Sequence, residues 1–247
     1  MFAFIGSYEY VYCLKYVVSS IIGGNEMSQE AKIFTGIGVL TVIVIIFAAF
    51  TLGNKSASND QEKVLNAADK KVLIRKDSHV AGKKQAKLAV VEFGDFECPA
   101  CGSVYGTVKK LQDEYKDKVE FVFREFPLDM HKNGRIAALA AEAAGGQGKF
   151  WEMHDKLYEN QDKWSDMDDP LETFTTYAKE IGIDADKFKA DVESKKYDSR
   201  ITADVDDGNR LGVDSTPTFF INGKMYGEVL SYDDFKAKIE SELKNQK

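Results

Sequence analysis

At 247 residues, with 44% hydrophobic residues, 30% charged residues and four prolines, the chain has the composition of an ordinary globular protein able to bury a real core. A formal net charge of -7, with no Lys/Arg run interleaved with aromatics, argues against nucleic acid as a partner. Three cysteines are too few for a disulfide framework, and His79, His131 and His154 are scattered without zinc-ligand spacing, so no metal is expected.

Residues 1–26 are apolar and aromatic but interrupted by Glu9 and Lys15. Two readings stand: a second membrane-associated segment, or a stretch upstream of a true start at Met27. The second is preferred and leaves Cys13 outside the working protein. From Ile33 to Asn54 run 22 residues without a charge, rich in Ile, Val and Phe. A helix needs about 20 apolar residues to cross the hydrocarbon layer, and a buried core helix would carry a polar stripe that this stretch lacks. It therefore reads as a transmembrane anchor in contact with membrane lipid; it is too long for the apolar core of a cleaved signal peptide. Lys15 and Lys32 precede it, whereas Lys55, Lys63, Lys70 and Lys71 follow. Counted naively, these lysines put the C-terminal domain in the cytoplasm, but the rule weakens before a long folded domain, so the chemistry must decide orientation. Residues 55–75 read as a polar tether, and globular patterning occupies residues 76–247.

In that domain KLAVVEF (87–93) suits a central buried strand. Val104, Val108, Leu111 and Tyr115 then recur at helical spacing, so a helix opens at or just after the pair Cys98-Pro99-Ala100-Cys101. VEFVFREF (119–126) is the next strand, stopped by Pro127, and the order strand, helix, strand makes a βαβ unit. Amphipathic helices fill about residues 133–212. TFFI (218–221), a turn on Asn222-Gly223 and a strand through Met225 form a hairpin, and a last helix covers about Tyr232 to Leu243.

Two cysteines three apart on the first turn of a helix occupy different environments. The first thiolate meets unpaired N–H groups and the positive end of the macrodipole, which lower its pKa. Cys98 is thus the expected nucleophile, and Cys101, one turn deeper, the resolving thiol. The exchange needs no metal and no organic cofactor beyond the redox-active disulfide itself. Downstream, Ser215-Thr216-Pro217 stands directly before TFFI, where a proline invites a cis peptide; an ordinary trans proline is the alternative.

The segments VVEFGDFECPAC, FREFPLDMH, GGQGKFWEMHDKLYENQ and GVDSTPTFFINGK resemble the DsbA-like branch of the thioredoxin superfamily, in particular its membrane-anchored or lipid-anchored bacterial members. The resemblance covers about residues 76–245 and implies an α/β, thioredoxin-like fold with an inserted helical domain, here preceded by the transmembrane helix. It implies that Pro217 is a cis-proline facing the dithiol and that the backbone of Thr216 pairs with an extended substrate. It matches Glu92 to the family's buried acid, which would relay a proton to or from Cys101, as a carboxyl with a burial-raised pKa can. Pro99 and Ala100 shape the site. The family's best-known oxidant carries a histidine at the position of Ala100; alanine supplies no charge, which points to an oxidant of intermediate strength.

Asp95 and Glu97 read as solvated loop acids, and His131 and His154 as surface histidines or histidines at helix starts. Phe150, Trp151 and Tyr158 read as core of the insert. The leading expectation is an extracytoplasmic oxidase in the cell membrane that donates the Cys98–Cys101 disulfide to unfolded or reduced proteins, regenerated, as the resemblance implies, by a quinone-linked membrane thiol oxidase. The alternatives are a reductase or isomerase of the same fold, and a non-catalytic binding module.

Overall fold

A computed structural model describes residues 65–227 and 229–245. The expected transmembrane span and the segment at 1–26 lie outside these residues; among the described residues no helix is long and apolar enough to cross a membrane. In chain order the elements are α1 (Ala67–Leu73), β1 (His79–Gly82), β2 (Leu88–Gly94), α2 (Pro99–Tyr115), β3 (Val119–Glu125), α3 (Gly134–Gly145), α4 (Phe150–Glu159), α5 (Gln161–Trp164), α6 (Leu171–Glu180), α7 (Ala185–Glu193), α8 (Asp198–Leu211), β4 (Thr218–Ile221), β5 (Lys224–Tyr226) and α9 (Tyr232–Asn245).

The strands form one sheet in the order β1-β3-β2-β4-β5. β2 pairs in parallel with β3 through the α2 crossover and antiparallel with β4, which places it at the centre. A central strand covered on both faces must be apolar at every position, and LAVVEF obeys this except at Glu92. Side chains alternate across the sheet. Leu88 and Val90 pack with Val104, Val108, Leu111 and Phe235 on the α2/α9 face. Val91 and Phe93 pack with Leu211, Val213 and Phe220 on the opposite face. Parity therefore aims Glu92 at the α2 side, towards the dithiol. The hairpin turn places Asn222 (φ 53) and Gly223 (φ 80) in the left-handed region, as a two-residue connection of matching twist requires.

Helices α3 to α8 lie between β3 and β4, as expected of a helical insertion. The alanines of α3, from Ala137 to Ala144, are almost completely buried and let α4 and α7 approach closely around Phe150, Met153, Trp164, Phe174 and Phe188.

Two expectations change. Part of the presumed tether is folded: α1 lies within 55–75, and Leu65 and Leu73 are buried among Val91, Phe93 and Phe220. Its anchor is Arg124, whose side chain is fully buried. Nη1 donates to the carbonyls of Val72 and Leu73 (both 2.8 Å), Nε to Asp204 (2.9 Å) and Nη2 to Asp207 (2.6 Å). Short polar sequence gave no periodicity from which α1 could be read, because what holds it is a guanidinium about 50 residues away. β1 was likewise not anticipated; it is a four-residue edge strand stabilised by its antiparallel pairing with β3.

Candidate active site

Strand β2 ends at Gly94, and the loop Asp95-Phe96-Glu97 carries the chain to Cys98 at the N-cap of α2. Pro99 occupies the first turn of that helix, where its missing N–H costs no hydrogen bond. Cys98 is 6% exposed and Cys101 wholly buried, and both are free thiols. The peptide between Thr216 and Pro217 is cis, and Cys98 Sγ lies 3.3 Å from the Thr216 carbonyl, to which the thiol donates. The chain thus brings together Cys98, Pro99, Ala100, Cys101, Thr216 and Pro217.

The two thiols are driven in opposite directions. Cys98 falls to about 5, first because the Cys101 thiol donates to it; burial opposes this, and the Thr216 hydroxyl and the N–H groups of Cys101 and Ala100 add further stabilisation. The helix N-terminus therefore contributes, but the partner thiol leads. Cys101 is pushed well above its ordinary range by burial, by its hydrogen bond to Cys98 and by the charge of Glu92. Glu92 rises from 4.5 to about 8, mainly through burial and secondarily through repulsion from Cys98. It borders a crevice of about 10 Å³, the size of a single water, between Val108 and Gln112 of α2, Phe121 of β3 and Trp151 of α4. At neutral pH the site can hold one thiolate, one thiol and one protonated carboxyl within one electrostatic unit.

Asp95 is not a solvated loop acid. It is 1% exposed and organises the loop: Oδ1 accepts from the Glu97 N–H (2.9 Å), while Oδ2 accepts from the Leu128 N–H (2.8 Å) and lies 2.6 Å from His131 Nδ1. Its own carbonyl accepts from the Cys98 N–H at 3.1 Å. A buried carboxylate can be tolerated here because it is surrounded by donors. Glu97 is partly exposed and accepts from the Asn133 N–H.

His154 departs from expectation too. It is 4% exposed, ringed by Phe96, Phe123, Trp151 and Tyr158 with centroids 4.9–5.6 Å away, and burial pushes its pKa down despite the neighbouring Asp155. His131 sits in the loop before α3, part-buried on Asp95. Phe150 and Tyr158 are core, whereas Trp151 is only half-buried.

Gln161 was missed altogether. Its Nε2 donates to the carbonyls of Phe96 (2.6 Å) and Cys98 (2.9 Å), clamping the dithiol loop to α5. Gly102 permits this approach, since a Cβ there would clash with Gln161 Oε1. The only sequence signal was the place of Gln161 at the end of GGQGKFWEMHDKLYENQ.

The thioredoxin family profile matches residues 75–241. The chain belongs to the thioredoxin family. Solved structures similar to this thioredoxin-family protein share its fold. Oxidised BdbD from Bacillus subtilis is 31% identical, with a TM-score of 0.62 over 68% of this chain and 94% of that one. The thiol-disulfide exchange protein α-DsbA2 from Wolbachia pipientis is 21% identical, with a TM-score of 0.62 over 70% of this chain and 91% of that one, and shares the fold. Among curated relatives, a Na(+)/H(+) antiporter NhaA 1 of Salinispora arenicola is 38% identical over 164 residues, 66% of this chain but 24% of that protein. The chain thus spans about a quarter of the length of that relative.

Proposed function

We propose that this protein is an extracytoplasmic thiol-disulfide oxidoreductase that donates the Cys98–Cys101 disulfide to unfolded or reduced proteins. The observation that carries the reading is the opposed tuning of the two thiols, Cys98 down to about 5 and Cys101 well above its ordinary value. A substrate thiolate attacks Cys98 Sγ; the S–S bond breaks, and Cys101 leaves as a thiolate that takes the proton held by Glu92. A second substrate thiolate then attacks the substrate sulfur of the mixed disulfide. The substrate disulfide forms, Cys98 leaves as a thiolate, and two electrons have entered the dithiol. A stabilised Cys98 thiolate makes a good leaving group and favours the reduced enzyme, so the disulfide is readily given up.

An extended substrate would lie along Thr216 beside Pro217. Met130 (81% exposed) and Met167 (37%) stand on segments tied to the dithiol loop through Asp95, Glu97 and Asn133, and supply an adaptable apolar rim for unfolded chains. Pro99 and Ala100 complete the surface around Cys98. No cofactor beyond the dithiol is required. Residues 33–54 would anchor the domain on the outer side of the cell membrane, where thiols are not kept reduced, within reach of a quinone-linked thiol oxidase.

The test is a redox titration of the dithiol together with trapping by Cys101→Ser. The expected potential is more oxidising than about -270 mV, the value typical of thioredoxin, and the variant should accumulate mixed disulfides through Cys98. A potential at or below that value would replace the oxidase with a reductase. Absence of trapped species would favour a binding module.

A further inference from the structure

The described domain has two chemically opposite poles. The dithiol lies at the C-terminal end of β2. Around it Asp162, Asp166, Asp169 and Asp214 are exposed on the α5–α6 segment and on the loop before Thr216. At the other end of the same strands, the β1–β2 loop carries Lys83, Lys84 and Lys87, and the α2–β3 turn carries Lys116 and Lys118, all exposed. These two segments are in contact: Lys83 N donates to the Val119 carbonyl (3.1 Å), and Lys83, Lys87 and Lys118 line one open crevice of about 350 Å³ with Asp117 and Leu243. Lys83, Lys84, Lys116 and Lys118 make no ion pair among the described residues. Of the acids here, Glu120 is buried and accepts from the Gln85 N–H (3.1 Å), and buried Glu242 is bridged to Lys224 (3.0 Å). Asp117 is the exposed acid of the crevice, and it faces several cations.

Leu65, the first described residue, lies at this same basic pole. The Leu65 N–H donates to the Gly223 carbonyl in the β4–β5 turn (2.9 Å), and the neighbouring Asn222 N–H donates to Ala89 at the start of β2 (3.0 Å). Ten residues separate Leu65 from Asn54, the last residue of the apolar stretch, and they reach at most ~35 Å. On the anchored reading, the described end of that tether therefore lies at the lysine pole, and not at the dithiol.

We propose that this lysine pole docks on a bilayer surface of anionic phospholipid headgroups and turns the dithiol away from the membrane. The inference rests on the anchored reading given above. Clustered lysines near an anionic surface are drawn to it over about one Debye length, while the aspartates of the opposite pole are repelled. The domain thus behaves as an oriented dipole on a short leash. Its active face stays open to translocated proteins and to a partner whose own site stands proud of the bilayer.

The experiment uses the full chain reconstituted in vesicles of phosphatidylcholine alone, or with three parts in ten phosphatidylglycerol. Flotation reads the anchor; acetylation of lysines by a water-soluble active ester, followed by mass spectrometry, reads the docking. Lys83, Lys84, Lys116 and Lys118 should be acetylated several-fold more slowly on the anionic vesicles, with the protection lost in 0.5 M salt. Lys132 and Lys163, at the dithiol pole, should react equally on both. The triple variant K83Q, K84Q, K118Q should lose the protection at Lys116 while keeping its Cys98 titration, which shows that it is folded. A chain that floats with both vesicles but shows equal acetylation overturns the docking and leaves the anchor standing. A chain that fails to float with neutral vesicles overturns the anchor and, with it, the docking that rests on it.

Discussion

Glu92 and Glu125 are both carboxyls buried on adjacent parallel strands, and burial pushes both pKa values up, yet their surroundings differ. Glu125 is 1% exposed, has no hydrogen-bond partner for either oxygen among the described residues, and is raised well above its ordinary value by burial and then by repulsion from Glu142 and Asp204. Glu92 is raised by burial and then by Cys98, in turn pushes up Cys101, and borders a crevice of single-water size. Burial alone therefore does not mark an acid for chemistry; the proposed proton relay at Glu92 rests on its coupling to Cys98 and Cys101 and on the adjoining crevice.

The comparison is broken or sharpened most strongly by Glu92→Gln. A positioned proton donor contributes at least about 100-fold, so the variant should exchange disulfides roughly 100-fold more slowly at pH 7, read by stopped-flow turnover of a reduced peptide. An unchanged rate would put Glu92 in the same class as Glu125. Next comes stability. A carboxyl raised in the folded state keeps its proton while the unfolded chain has released it, so folding stability falls as pH climbs from 4.5 towards about 8 for Glu92. At pH 7 the cost approaches a ceiling of about 3 kcal/mol, set by the gap between pH 7 and the unfolded value. Glu125, also raised by burial, should behave in the same direction: Glu125→Gln should gain stability in urea denaturation at pH 7 and not at pH 4, with the exchange rate unaltered. A slowed exchange would show that Glu125 also serves the dithiol. The smallest effect belongs to Thr216→Val. The Thr216 hydroxyl, buried with no hydrogen-bond partner among the described residues, helps to lower the Cys98 pKa. Its loss should raise the Cys98 midpoint by roughly half a pH unit, measured by the pH dependence of alkylation.

Much of the scaffold was legible from pattern. The LAVVEF run, the helical spacing from Val104 to Tyr115, the strand stopped at Pro127 and the Asn222-Gly223 turn all became the expected elements within a residue or two. These are local signals, set by side-chain periodicity and turn chemistry over a few residues. Asp95, His154 and Gln161 were misread or missed because their environments are assembled from distant segments. Nothing in GDFEC says that Leu128 and His131 will close over Asp95, and nothing near His154 says that Phe96 and Phe123 will surround it. The same holds for α1, which a polar sequence conceals and Arg124 holds in place.

By itself, then, the sequence determined the chemical inventory and its order: a dithiol opening a helix, an acid in an apolar strand, a proline before a second strand. Tertiary structure decided which of these meet. It placed the Thr216 carbonyl against Cys98, and it made the Cys101 thiol, ahead of the helix N-terminus, the main support of the Cys98 thiolate. It also separated the acidic dithiol pole from the lysine pole. The physical reason is range: propensity and periodicity act over one or two turns, whereas a pKa, a buried ion pair or a charged face depends on groups that become neighbours only after the chain has closed on itself.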